Sequence, residues 1–71
     1  MAPTRVTNSI RQLRFAHDQM TQQQLAEQVG VTRQTINALE AGKYSPSLEV
    51  AFRMAEIFGV RVDEVFHYGR P

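Results

Sequence analysis

Cysteine is absent from this 71-residue chain, which excludes a disulfide framework and a thiolate metal site and suits a reducing compartment such as the cytoplasm. No apolar run approaches the ~18–20 residues of a membrane-spanning helix, and the N-terminus lacks the apolar core of a signal peptide. The expectation is therefore a cytoplasmic chain with no membrane partner. Its four glycines form no phosphate-cradling loop, and no nucleophile stands at a useful spacing from a base. His17 and Asp18 have no third ligand nearby in sequence, and His67 is isolated, so all three read as turn or surface residues rather than as a metal site. There is no internal repeat, and so short a chain has little room for a deep pocket. An enzyme is not expected, and neither a cofactor, a metal nor a small-molecule ligand is implied.

A strong excess of charge is missing too. The net charge is only +1, so non-specific attraction to a polyanion should be weak. Its distribution is uneven. Residues 1–43 carry Arg5, Arg11, Arg14, Arg33 and Lys43 against Asp18, Glu27 and Glu40, a balance of +2, while residues 44–71 carry −1. One domain of this size buries a modest core and gains from dimerisation.

What is present centres on residues 21–41, TQQQLAEQVGVTRQTINALEA. Thr21 and Gln24 match the capping box Thr-x-x-Gln, which starts a helix. Leu25, Ala26 and Val29 give that helix an apolar stripe, and Gly30 ends it in the left-handed conformation that glycine adopts at little cost. Val31 plugs the corner, Thr32 caps a second helix, and Ile36 and Leu39 form its buried stripe before Gly42. The pattern is helix, short glycine turn, helix. The other face of the second helix presents Thr32, Arg33, Gln34, Thr35 and Asn37, with no acid before Glu40. Arginine pairs bidentately with guanine, glutamine or asparagine with adenine, and threonine reaches phosphates or a thymine methyl. This is chemistry for a DNA major groove; the bland alternative is a solvated face in a generic bundle.

Around this pair, the spacing predicts a first helix from near Thr7 or Asn8, with Ile10 and Leu13 inward, and a link 16–20 with Met20 stapled before Thr21. Ser47 caps a fourth helix over 48–58 that ends at Gly59. It carries two apolar stripes, Leu48–Ala51–Phe52–Ala55–Phe58 and Val50–Met54–Ile57, one of them destined for another subunit or for a fifth helix. Residues 60–66 hold a last helical turn, with Asp63 and Glu64 at its start. The alternation in FHYG, residues 66–69, suggests a short strand that Val6 and its neighbours can pair with, and residues 1–6, with Pro3, read as a flexible end or a short strand.

The run from Thr21 to Val60, TQQQLAEQVGVTRQTINALEAGKYSPSLEVAFRMAEIFGV, resembles the helix-turn-helix of the phage repressor/Cro superfamily of xenobiotic-response-element-type regulators. Within it, VTRQTINALEAGKYSPSL and the ending VDEVFHY resemble very small stand-alone bacterial repressors such as the cytolysin repressor. The likeness spans about residues 8–68. It implies an all-α fold, a compact five-helix repressor-like domain with a short terminal β-ribbon, occupying residues 1–71 as a single domain. The third helix would lie in the major groove. By position, Arg33 and Gln34 would read base edges, Asn37 a base or a phosphate, and the Ala38 methyl a thymine. Gln22, Thr32 and Lys43 match phosphate-contacting positions, and Tyr44 and Ser45 extend that track; the Thr32 hydroxyl serves the helix cap and a phosphate only alternately. Arg14 and Glu40 match a structural ion pair, although the link from Arg14 to Thr21 is one residue longer than the family's commonest spacing.

The small members are homodimers that meet through terminal strands and the last helix, which places Val6, Ile57, Val62, Phe66 and Tyr68 in an interface within about residues 57–70 and the first strand. A two-fold dimer sets its recognition helices about 34 Å apart and implies a roughly palindromic operator. The expected activity is sequence-specific binding of double-stranded DNA in transcriptional regulation, repression before activation. The alternative is an antitoxin-like protein-binding module with secondary DNA binding; such modules usually carry an extra tail, whereas this chain stops just past its last helix.

Overall fold

The computed structural model describes residues 4–69. The expectations for residues 1–3, and for Arg70 in the dimerisation region, lie outside that range. In chain order the elements are β1 (Val6–Asn8), α1 (Ile10–Ala16), α2 (Gln22–Val29), α3 (Arg33–Glu40), α4 (Leu48–Phe58), α5 (Val62–Val65) and β2 (Phe66–Tyr68). Five helices surround one core, in which Ile10, Leu25, Val29, Ile36, Met54 and Val65 are fully buried. Burying one such side chain stabilises the fold by about 1.5–3 kcal/mol, so these six outweigh any cap or ion pair.

The N-terminal segment departs from expectation. Helix α1 starts at Ile10 rather than near Thr7 or Asn8, because the expected pairing of Val6 and its neighbours with the terminal strand takes in all of Val6–Asn8, with Val6 opposite Tyr68 and Asn8 opposite Phe66. The Ser9 N–H then donates to the Val65 carbonyl at 2.8 Å. These partners are about sixty residues away in sequence, and their pairing prevails over the helical spacing that Ile10 and Leu13 continue.

The link between α1 and α2 reverses through two consecutive left-handed residues, Asp18 (φ 57°) and Gln19 (φ 55°). The Met20 N–H closes it by donating to the Arg14 carbonyl at 2.9 Å. Each of the two left-handed residues takes a conformation unfavourable by about 1–2 kcal/mol for a non-glycine residue. His17 meets Phe58 edge to face at 5.3 Å.

On α4 the buried arc is Ala51, Met54, Ala55 and Phe58, at i, i+3, i+4 and i+7, so it cuts across both expected stripes. Helix α5 packs on α4. Leu48 and Phe52 are left exposed, at 76% and 59%.

Candidate nucleic-acid interface

Helix α2 begins on a complete capping box. The Thr21 hydroxyl accepts from the Gln24 N–H at 3.0 Å, and the Gln24 side chain accepts from the Thr21 N–H at 2.9 Å. It ends at Gly30, whose φ of +89° is one that a side chain rarely adopts. Arg53 of α4 donates to the Val29 carbonyl at 3.0 Å and so fastens the turn from outside. Thr32 then caps α3 by accepting from the Thr35 N–H at 3.2 Å, with its hydroxyl 3.0 Å from that of Thr35. At the far end of α3, the Gly42 N–H reaches the Leu39 carbonyl at 3.0 Å and the Lys43 N–H the Ala38 carbonyl at 3.1 Å. This double closure, with Gly42 at φ +71°, ends the helix and turns the chain outward at Lys43.

The buried side of α3 is Ile36 and Leu39. Arg33, Gln34, Asn37 and Ala41 are exposed, while Ala38 is half-buried. Gln34, Asn37, Ala38 and Ala41 follow i, i+3, i+4 and i+7 and share one face. Lys43, Tyr44 and Ser45 are exposed on the loop that follows. The structure thus brings the sequence-derived residues of α3 and its loop onto one outward surface. Two members of it were not anticipated. Ala41 follows from the helical period alone. Arg11, which lines a polar groove of about 440 Å³ with Gln22, Asn37, Glu40 and Ala41, is found only when α1 is laid beside α3.

Both helices are fixed by an ion pair with little water around it. Arg14 Nε donates to Glu40 Oε2 at 2.6 Å and its Nη2 to Oε1 at 3.1 Å, and the two side chains are only 9% and 11% exposed. Arg14 Nη1 donates to the Met20 carbonyl at 2.8 Å. Gln22 is half-buried, and its amide donates to Glu40 Oε1 at 3.1 Å. The sole carboxylate of α3 is therefore paired with Arg14, while Arg11, Arg33 and Lys43 are exposed.

Between α4, α5 and β2, Phe52, Ala55, Val60, Val62 and Phe66, together with the charged Glu56, Arg61 and Asp63, line a mostly apolar groove of about 810 Å³. Ile57, Val62 and Phe66 are half-buried at the core margin. Val6 is half-buried in the ribbon, and Tyr68 opposite it is 69% exposed with the Arg5 guanidinium 5.2 Å from its ring centre. His67 is exposed and its Nε2 lies 2.9 Å from the Ser9 hydroxyl.

The helix-turn-helix family model HTH_3 matches residues 10–65, most of the chain. The chain belongs to the helix-turn-helix family. It is 48% identical over 61 residues to an uncharacterised HTH-type transcriptional regulator of Methanocaldococcus jannaschii, covering 86% of this chain and 91% of that protein. It is 36% identical over 59 residues to the cryptic phage CTXphi transcriptional repressor RstR of Vibrio cholerae, covering 83% of this chain and 52% of RstR. A crystal structure of a Bacteroides fragilis protein assigned to DNA binding superposes with a TM-score of 0.75 at 31% identity, covering 87% of this chain and 98% of that one. The protein is thus a DNA-binding helix-turn-helix transcriptional regulator, in a family that acts by binding rather than by catalysis. Among the described residues, no helix is long and apolar enough to cross a membrane.

Proposed function

We propose that this helix-turn-helix protein is a cytoplasmic, homodimeric repressor that occupies a roughly palindromic operator, with α3 of each subunit in a major groove. The observation that carries the reading is the outward face of α3, where Arg33, Gln34 and Asn37 stand exposed on a helix fixed at both ends. Arg33 and Gln34 read base edges, Asn37 bonds a base or phosphate one turn later, and Ala38 offers its methyl to a thymine. Lys43, Tyr44 and Ser45 track the backbone beyond the helix. Thr32 holds the α3 cap and turns to a phosphate only by releasing it. The Gln22 side chain is committed to Glu40, so Gln22 meets a phosphate through its backbone N–H, one of the first-turn donors that a helix leaves unpaired.

A net charge of +1 supports the dimer, because so few cations per subunit give weak binding unless two subunits share a site. Val6, Ile57, Val62, Phe66 and Tyr68, beside the apolar groove, form the self-contact. Repression is favoured by the likeness to RstR and because blocking a promoter needs only occupancy.

Hydroxyl-radical footprinting on a bound duplex tests the geometry. Two protected patches on one face, about one helical turn apart, are expected; a single patch would remove the dimer. A promoter reporter that rises with the protein would replace repression by activation.

A further inference from the structure

Asn8 joins three parts of the molecule through one side chain. Its Oδ1 accepts from the Ile10 N–H at 3.2 Å, at the start of α1, and its Nδ2 donates to the Leu39 carbonyl at 2.8 Å. Its backbone belongs to β1, opposite Phe66 in the terminal ribbon. Leu39 lies in the last turn of α3, one residue before the Glu40 that Arg14 and Gln22 hold. The Asn8–Leu39 bond crosses 31 positions of sequence and is part-buried, so it is a tertiary tie and no part of a local cap. A second contact runs alongside it, with Thr4 Oγ1 2.7 Å from Ser45 Oγ on the loop after α3.

From this juxtaposition we propose that Asn8 is a positioning residue for DNA reading, which ties the terminal ribbon to the C-terminal end of α3 and sets the angle at which Gln34 and Asn37 are presented. The inference rests on α3 being the recognition helix. The N-terminal end of α3 is held at the Gly30 turn, and its far end by Arg14 through Glu40 and by Asn8 through Leu39, so losing the Asn8 bond leaves the far end on one tie fewer. The eight residues of α3 span ~12 Å, so a shift of about 1 Å at Leu39 tilts the helix by about 5°. Such a tilt swings Asn37 further than Gln34, which lies nearer the held end, and bidentate base contacts are sensitive to the angle at which the side chains arrive. The same tie makes the ribbon and the reading surface one mechanical unit, so a change in ribbon pairing reaches α3 without passing through the core.

Two substitutions keep the α1 contact and remove the tie. Asn8→Ser retains an oxygen for the Ile10 N–H and is too short to reach Leu39. Asn8→Asp retains both oxygen and length and has no donor. The full chain and both variants are titrated by fluorescence anisotropy against the best duplex selected by the wild type and the same duplex with one base pair changed in each half-site. Urea unfolding is measured in parallel. Wild-type failure to discriminate the two duplexes would reject the recognition-helix reading itself. If the wild type discriminates, the variants should keep their affinity for the altered duplex and lose about five- to tenfold in the ratio between the two, the effect of one lost hydrogen bond. An unchanged ratio, or a loss on both duplexes in step with lost stability, overturns the proposal. If the Asp variant fails to fold, the Ser variant decides.

Discussion

Arg14 holds both helices of the motif with one guanidinium: two of its nitrogens grip Glu40 at the end of α3, and the third reaches the Met20 carbonyl just before α2. The pair is nearly dry, at 9% and 11% exposure, so removing one partner strands a charge. Glu40→Ala should cost about 3–5 kcal/mol in urea unfolding, whereas replacing both residues by apolar ones of similar volume should restore much of the loss. A double variant no more stable than the single one would show that the pair is not the source of the penalty.

Reader and anchor residues should separate in binding. Gln34→Ala should relax preference at one base pair per half-site, at about 1–3 kcal/mol of discrimination, while Lys43→Ala should weaken all sequences alike and lower the salt slope by about one per subunit. Titrations of matched and altered duplexes at several salt concentrations measure both. Uniform losses in both variants would contradict the assigned roles.

The left-handed Gln19 makes a stability prediction of opposite sign to most substitutions. Gln19→Gly should stabilise the fold by about 0.5–1 kcal/mol by relieving its φ of 55°, which raises Tm by about 2–8 °C for a domain of this size. Gly30→Ala should lower stability by about 1 kcal/mol for the converse reason, with Arg53 Nη1 already 3.3 Å from where the new methyl would sit. Thermal unfolding of the two variants side by side checks the pair; a fall in Tm for Gln19→Gly would refute the first.

Phe66 is half-buried beside the apolar groove. Phe66→Ala should weaken self-association, read by sedimentation equilibrium, more than it shifts the unfolding of the subunit. An unchanged dimer constant would take the C-terminal segment out of the interface.

Much of the fold was legible where a structure is specified by its own neighbours. Thr21 with Gln24, Thr32 and Ser47 cap helices by bonds that span three residues, and Gly30 and Gly59 end them at positive φ. The exposed polar face of α3 is legible for the same reason, since a helical period and a list of side chains suffice to draw it. What was hidden depends on distant partners. The alternation in FHYG points to a ribbon with Val6 and its neighbours, but how far β1 runs is set by β2, and the period of Ile10 and Leu13 alone starts α1 too early. The exposure of Leu48 and Phe52 could not be separated from the burial of Ala51 and Phe58 without knowing where α5 lies. Arg11 and Asn8 join the site only once α1 and β1 are laid against α3.

The central claim is that two copies of α3 read a symmetric sequence. Selection of random duplex DNA by the purified protein, with sequencing of the bound pool, tests it most directly. The account predicts a palindromic motif whose half-sites lie about one helical turn apart; a pool with no enrichment over background at low salt would contradict it and turn the search towards a protein partner.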